Sequence, residues 1–214
     1  MNSDLPKVLH KAAGFALIEH VIDAVGGAGA QRIGVVLGDR SEPLRSFLNS
    51  GVEVVVQRQR LGTGHAVMQA RRRFGNWKGD LLILPADVPC VRADTLRGFI
   101  GEHRKGHFPA SVLTAEVSDP TGYGRILRKG DRVVGIREEL DATRSEKRIS
   151  EINSGIYLFN AQMLFRRLGD IRKNQRKREY YLTDVVEAFV RNDDSVYAHQ
   201  IEDEREVLGV NTRR

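Results

Sequence analysis

Three short apolar segments, separated by helical patterns, constrain the fold of this chain more than any other feature. The strand-length and almost continuously apolar runs are residues 33–37, 52–56 and 81–84. Such runs are typical of parallel strands that are covered on both faces. Helical spacing of apolar side chains is found in residues 15–24, 43–48 and 64–73. The alternation predicts an α/β fold with a doubly wound, mostly parallel, Rossmann-like sheet.

The pattern changes after Pro89, where strands begin to follow one another directly. A helix is expected at residues 94–103, with Asp94 as its N-cap. The later elements are predicted as strands at 110–116, 124–128 and 132–137, a strand at 154–159, helices at 162–168 and 183–190, and a strand at 195–201. Residues 129–131 would form the turn of a hairpin. We therefore expect one domain over residues 1–214 with a small inserted β lobe.

The net charge of the chain favours anionic partners, and its hydropathy argues against a membrane-spanning helix. Lysine and arginine number 34 against 28 acidic residues, a net charge of +6 that favours nucleotides, sugar phosphates or nucleic acid. No apolar run approaches the roughly 20 residues of a membrane helix, and no secretion signal is recognisable, so a cytoplasmic protein is expected. The single cysteine, Cys90, is expected to be a small buried residue that forms no disulfide.

Polar residues follow two of the apolar runs. Gln57 comes directly after the second run, and Asp87 follows the third within the sequence ADVP. Ligands of open α/β sheets bind beyond the carboxyl ends of the strands, so both residues are predicted to face one site. A carboxylate there is a good Mg²⁺ ligand when phosphates supply other ligands. Local sequence alone favours a turn or helix-cap aspartate equally well.

Residues 57–65, QRQRLGTGH, join the second apolar run to a helix. Gly62 and Gly64 would let the backbone approach a ligand closely, and Thr63 would cap the helix. The N-terminus of a helix favours negative or hydrogen-bond-accepting groups. Taken alone, these residues are explained more simply as a helix-start loop. His65 is expected to be a structural helix residue rather than a general base.

Two further segments are ambiguous. Residues 119–124, DPTGYG, form a turn before the hairpin, with Tyr123 expected as a packing aromatic. As part of a site, this turn would bring backbone amides against a sugar, with Glu138 and Asn153 supplying directional hydrogen bonds. The basic run at 172–178 has no interleaved aromatic residues for base stacking. It is therefore expected to be a solvated loop rather than a nucleic-acid surface.

Taken in order, the motifs resemble a known family. The matching segments are SDLPKVLH (3–10), RLGTGHA (60–66), ADVP (86–89), DPTGYGRI (119–126), EINSGIY (151–157), EYYLTDVV (179–186) and EVLGVNTR (206–213). They resemble the uridyltransferase half of the bacterial bifunctional N-acetylglucosamine-1-phosphate uridyltransferase and glucosamine-1-phosphate acetyltransferase. This is a sugar nucleotidyltransferase with the nucleotide-diphospho-sugar transferase fold. The resemblance covers essentially the whole chain.

The resemblance implies a reaction and a set of residues. UTP and N-acetylglucosamine 1-phosphate would give UDP-N-acetylglucosamine, a precursor of peptidoglycan and lipopolysaccharide, and pyrophosphate. It implies that Asp87 binds Mg²⁺ and acts in catalysis, that Asn211 binds the same metal, and that Lys7 contacts phosphate and acts in catalysis. It implies contact with the uracil nucleotide for Gln57, Gly62 and Thr63. It implies contact with the sugar for Gly124, Glu138 and Asn153. Pro85 and Ala86 stand at a sugar-contacting position where the family usually has an aromatic residue and a glycine.

The chain departs from the family pattern at both ends. It starts after the family's first strand and glycine-rich phosphate loop, which carries a catalytic arginine, so weak or no turnover is expected. It stops before the acetyltransferase β-helix that forms trimers, so a monomer is expected. Two alternatives stay open: a non-catalytic fragment that binds uridine sugars, and a nucleotidyltransferase for another hexose 1-phosphate.

Overall fold

The computed structural model describes residues 5–38, 42–48 and 51–210. Within them the helices are α1 (Leu17–Gly27), α2 (Glu42–Phe47), α3 (Thr63–Phe74), α4 (Ala93–Lys105), α5 (Ala161–Arg167) and α6 (Thr183–Arg191). The strands are β1 (Lys11–Ala12), β2 (Phe15–Ala16), β3 (Ile33–Gly38), β4 (Val52–Gln57), β5 (Asp80–Ile83), β6 (Ala110–Glu116), β7 (Gly124–Lys129), β8 (Arg132–Arg137), β9 (Glu151–Asn160) and β10 (Val196–Ile201). None of the described helices is long and apolar enough to cross a membrane.

The main sheet is built around β9, the longest strand. One edge of β9 pairs antiparallel with β6, which in turn pairs in parallel with β10. The other edge is shared, because β5 pairs with residues 157–160 and β7 pairs with residues 152–153. β8 completes a hairpin with β7, and β3 and β4 form a separate parallel pair. The predicted α/β fold is confirmed, with antiparallel pairings at its centre.

Apolar clusters lie on both sides of this sheet. On one side, Phe165 of α5 and Val185 and Phe189 of α6 pack in one cluster with Phe159 of β9. On the other side, Leu96 and Phe99 of α4 join a cluster that includes residues of α1 and β6. Burying each such side chain stabilises the fold by roughly 1.5–3 kcal/mol relative to exposure. Helices therefore cover both faces of the sheet, as a doubly wound fold requires.

β9 changes partner at Gly155, which has a left-handed backbone with φ of +78°. A Cβ atom at Gly155 would lie 2.9 Å from Cγ of Pro85, the second residue after β5. Next to it, the Ser154 hydroxyl donates to the Leu113 carbonyl at 2.5 Å and accepts from the Ile156 amide at 3.0 Å. These contacts hold β9 where β5 and β7 diverge. The chain after β5 therefore leaves the sheet beside Gly155.

Two helix starts and one side chain differ from the predictions. α4 begins at Ala93 after Arg92, and Asp94 pairs with Arg97 in the first turn instead of acting as the N-cap. The helix predicted at 15–24 begins only at Leu17, because the two preceding residues pair with β1. Cys90 is exposed, so the prediction of burial is wrong. It lies in the turn after β5, where its neighbours Val88 and Val91 are the residues that join an apolar cluster.

We predict that Gly155→Ala lowers the free energy of unfolding by about 2–4 kcal/mol, since a side chain there needs a left-handed backbone and overlaps Pro85. Urea unfolding followed by circular dichroism measures this. Gly101→Ala in α4 is the matched control, because nothing lies within 4 Å of its added Cβ. The control should raise stability by up to about 1 kcal/mol. Equal effects of the two substitutions would contradict this account of β9.

Candidate functional site

A cleft of about 520 Å³ lies between the end of β4 and the segment that follows β8. Its lining includes Gln57, Gly62 and Thr63, three of the residues predicted to contact a nucleotide. Glu138, predicted to contact a sugar, lines the same cleft. The further lining residues are Gly38, Arg60, Ala66, Gly122, Glu139, Leu140, Lys177, Glu179 and Tyr181. Residues far apart in the sequence therefore meet here.

The start of α3 is held by another part of the chain. Gly62 precedes the helix with φ of +96°, and a Cβ atom on it would lie 2.5 Å from the Tyr180 carbonyl oxygen. The Gly64 amide donates to this same oxygen at 2.8 Å. The Thr63 hydroxyl accepts from the Leu182 amide at 3.0 Å and does not cap α3, contrary to the prediction. The close approach that these glycines permit is therefore to the backbone of residues 179–182.

The Gln57 side chain is oriented by its own loop. Its amide nitrogen donates to the Gly62 carbonyl at 3.1 Å and lies 2.9 Å from Nδ1 of His65. The other ring nitrogen of His65 lies 3.1 Å from the amide nitrogen of Gln69. His65 is therefore a structural residue that holds Gln57, as predicted. Among the described residues, no group donates to the Gln57 amide oxygen.

Glu138 is mostly removed from solvent on the opposite wall. It accepts a hydrogen bond from the Thr183 hydroxyl at 2.9 Å. Burial raises the pKa of the Glu138 carboxyl, and the nearby charge of Asp141 raises it further. The role of Thr183 was not predictable from the sequence, because its contact with Glu138 depends on how α6 packs beside β8.

Asn153 and Gly124 lie on neighbouring strands and are not among the residues that line the cleft. They are register partners in the β7–β9 pairing, and the Asn153 side-chain oxygen accepts from the Gly155 amide at 3.1 Å. The Asn153 side chain also hydrogen-bonds to the buried Tyr157 hydroxyl, whose pKa is raised by burial and by the charge of Glu138. Tyr157 therefore connects the positions of Asn153 and Glu138. Its role was not predictable from a strand pattern in which it reads as a core aromatic.

Asp87 lies beyond β5 and forms an ion pair with Lys7, so the structure brings these two predicted residues together. The Asp87 side chain is 28% exposed. Its backbone carbonyl accepts from the Val210 amide at 2.9 Å. The neighbouring Tyr123 hydroxyl is hydrogen-bonded by the Gly209 backbone, and burial raises its pKa. Asn211 lies outside the described residues.

The donor set around Asp87 is suited to one kind of metal ion. Across residues 5–38, 42–48 and 51–210, no group of three or more His, Cys, Asp or Glu side chains could hold a metal. A site built for Zn²⁺ would need such a group. Mg²⁺ is usually held by one or two carboxylates together with substrate phosphates and water. A partly exposed carboxylate with one oxygen paired to Lys7 fits that requirement.

Pro85 and Ala86 offer no polar side chain to a ligand. Pro85 packs against Gly155, and Ala86 packs against the apolar cluster that contains Ile18 and Leu37. Their predicted contact with a sugar would have to be made by backbone atoms or by apolar surface. That role stays a prediction.

A charged network that sequence analysis missed supports the 119–124 loop. Arg125 is only 1% exposed and pairs with Glu139 at 2.8 Å, and Lys147 pairs with Glu139 at 3.1 Å. These partners, Lys147 first, lower the pKa of Glu139 to about 2. Glu139 also accepts from the Gly122 amide at 3.3 Å. An arginine in a strand is ordinarily expected to reach solvent, so only the fold reveals that Arg125 is buried and pairs with the partly exposed Glu139.

Asp184 is a further carboxyl near the cleft wall whose pKa is raised, as that of Glu138 is. It lies in the first turn of α6, next to Thr183. Burial raises the pKa of Asp184 to about 6, and the charges of Glu187 and Glu138 contribute in the same direction. Its carboxyl therefore holds a proton in the folded protein at pH values where it is ionised in the unfolded chain.

Comparisons with known proteins agree with the fold and the motifs. The nucleotidyl transferase family model matches residues 2–205. The bifunctional protein GlmU of Streptococcus agalactiae serotype III is 42% identical over 214 residues, covering 100% of this chain and 47% of that protein. GlmU of Pelotomaculum thermopropionicum is 43% identical over 215 residues, with coverage of 100% and 47%. These matches confirm the resemblance, although the chain spans about half the length of these curated relatives.

Solved structures show the same fold at low sequence identity. UDP-glucose pyrophosphorylase in complex with UDP-glucose superposes with a TM-score of 0.78 at 17% identity, covering 95% of this chain and 86% of that one. An apo UDP-glucose pyrophosphorylase gives a TM-score of 0.77 at 17% identity, covering 92% and 82%. At this identity the likeness establishes the fold alone.

We predict that Asp184→Asn flattens the dependence of stability on pH. Because the folded-state pKa of about 6 exceeds the ordinary 3.8, the carboxyl lowers stability progressively as pH rises through this window. The variant should therefore gain about 1–2 kcal/mol relative to wild type between pH 4 and 7, after allowance for solvent screening. Urea unfolding of the variant and of wild type at the two ends of this pH range measures the gain in the free energy of unfolding. Asp23→Asn, exposed on α1, is the control; a variant curve parallel to wild type would refute the prediction.

Proposed function

This chain belongs to the nucleotidyl transferase family, and we propose that it transfers UMP from UTP to N-acetylglucosamine 1-phosphate. The products are UDP-N-acetylglucosamine and pyrophosphate. The observation that carries the proposal is that Gln57, Gly62 and Thr63 line one cleft together with Glu138. The Lys7–Asp87 ion pair lies beyond β5 of the same fold. The relatives named bifunctional protein GlmU support this choice of substrates.

The nucleotide would occupy the wall formed by the end of β4 and the start of α3. Gln57 is suited to a uracil ring because its amide nitrogen is already engaged and its amide oxygen has no donor among the described residues. A free acceptor complements the N–H donor on the base. The backbone of Gly62 and Thr63 would contact the same nucleotide. The solved relative with bound UDP-glucose supports a nucleotide-sugar ligand for this fold.

The sugar would occupy the opposite wall. Glu138 offers a carboxyl held by Thr183, and Asn153 offers an amide held by Gly155 and Tyr157. Such pre-oriented groups give directional hydrogen bonds to hydroxyl and acetamido groups. The Gly124 backbone lies beside Asn153 at the start of β7. We propose that these three residues select the N-acetylated sugar.

The chemistry requires positioning and charge neutralisation. A phosphate oxygen of the sugar phosphate attacks the α-phosphorus of UTP, and the bond to the bridging oxygen breaks to release pyrophosphate. Lys7 would place a positive charge beside these phosphates. Asp87 and Asn211 would hold Mg²⁺, which when bound supplies further neutralisation of the phosphate charge. No protein nucleophile is needed, because holding the reactants in line provides most of the rate.

We predict that Asp87→Asn abolishes the Mg²⁺ dependence of UDP-N-acetylglucosamine binding while the fold is retained. The physical reason is that the neutral amide keeps the shape of the side chain but loses the charge that attracts the metal. Isothermal titration calorimetry with and without Mg²⁺ measures the effect. Asp131→Asn, in the exposed β7–β8 turn, is a control of equal charge change. Mg²⁺-dependent binding that survives in Asp87→Asn would remove Asp87 from the metal site.

A pyrophosphate-release assay separates the enzyme from its alternatives. Release from UTP and N-acetylglucosamine 1-phosphate supports the transferase, and preference for glucose 1-phosphate in competition would reassign the sugar. Binding of UDP-N-acetylglucosamine without release would support the non-catalytic binding module. No binding at millimolar ligand would defeat both proposals.

A further inference from the structure

The basic loop between α5 and α6 is solvent-exposed, as predicted, and its backbone forms an ordered turn. The Asn174 side-chain oxygen accepts from the amides of Arg176 and Lys177 at 2.9 and 3.1 Å. The Asn174 carbonyl accepts from the Arg178 amide at 2.8 Å, and Arg178 adopts a left-handed backbone with φ of +56°. The Asn174 amide donates to the Glu179 carbonyl at 2.7 Å. The backbone of this turn is therefore held by Asn174.

The turn is attached to the segment that follows β8. The Asn174 side-chain nitrogen donates to the Asp141 carboxylate at 2.9 Å. The Arg176 guanidinium lies 3.7 Å from the Asp141 carboxylate and donates to the Leu140 carbonyl at 2.5 Å. Glu138 and Leu140 line the cleft, so this attachment makes the turn part of the cleft wall.

Lys177 is the residue of this turn that lines the cleft. Its positive charge opposes the rise in the pKa of Glu138, so its ammonium group acts on the wall where the sugar would bind. Within the described parts of the chain, Lys177 and Arg60 form no ion pair, although both line the cleft.

The acidic residues of the cleft are not equally available to these cations. Glu139 is already paired with Lys147 and Arg125. Glu138 accepts from Thr183, and burial raises the pKa of its carboxyl. Glu179 lies on the wall beside Lys177 and forms no ion pair with a described residue. The lining therefore carries two cations, Lys177 and Arg60, that no described carboxylate pairs with, and Glu179 is the one lining carboxylate whose charge is neither paired nor reduced by burial.

We infer that Lys177 is a further substrate-binding residue, whose ammonium group attracts the phosphates of the nucleotide sugar into the cleft. This inference rests on the proposed function, since it assumes a phosphorylated ligand in that cleft. Arg60 contributes to the same attraction from the nucleotide side. The interaction is partly exposed, so it weakens as salt shortens the range of the electrostatic field.

The test is the affinity of UDP-N-acetylglucosamine for Lys177→Gln, measured by calorimetry at low and high salt. We expect its Kd to rise about threefold to tenfold in 50 mM NaCl, and by less than about twofold in 500 mM NaCl, because salt screens the lost charge. Lys177→Arg should keep most of the affinity. Lys173→Gln, an equal charge change in the same loop at a position outside the cleft lining, is the matched control and should change Kd by less than about twofold in 50 mM NaCl.

The outcomes separate this inference from the function on which it rests. If wild-type protein does not bind the nucleotide sugar, the proposed function fails and the inference fails with it. If wild type binds and Lys177→Gln binds equally well, the inference alone is overturned. Equal weakening by Lys173→Gln and Lys177→Gln also overturns it, because the effect would then come from net charge. Thermal unfolding of each variant confirms that the fold is intact.

Discussion

The architecture depends on a single backbone position where one strand serves two partners. β9 pairs with β5 beyond Gly155 and with β7 before it, so the sheet edge divides at that residue. Gly155 makes the division possible, because glycine adopts the left-handed backbone readily and its lack of a side chain leaves room for Pro85 to pack directly upon it. The chain after β5 is thereby directed out of the sheet toward Asp87. The β7–β8 hairpin begins on the other side with Gly124, and the residues just before and just after this hairpin line the cleft.

Protein contacts prepare the cleft before any ligand arrives. The backbone of residues 179–182 closes the start of α3, and His65 holds Gln57. Buried Arg125 and Glu139 hold the loop that contains Gly122. Each contact is modest in net energy, since a hydrogen bond contributes about 0.5–1.5 kcal/mol. Their value for function is that polar groups are oriented in advance, which reduces the entropy lost when a ligand binds.

The sequence predicted most of the fold, but not the way distant segments meet. The strands β3 and β4 were identified because a nearly continuous apolar run of strand length indicates a strand that is covered on both faces. The direction of β5 was not, since four apolar residues pair equally well with parallel or antiparallel neighbours. Thr63 was assigned as a cap because its partner Leu182 lies 119 residues away. Lys177 is exposed in a solvated loop, as predicted, but a run of basic residues does not reveal which one lines the cleft.

The central claim is that a uridine nucleotide sugar binds between the end of β4 and the β7–β9 wall. A crystal structure of this chain with UDP-N-acetylglucosamine and Mg²⁺ tests it most directly. The account predicts the uracil ring against Gln57 and Thr63, the sugar against Glu138 and Asn153, and the diphosphate between Lys7 and Lys177. Electron density for the ligand elsewhere on the protein, or an empty cleft at saturating ligand, would contradict it.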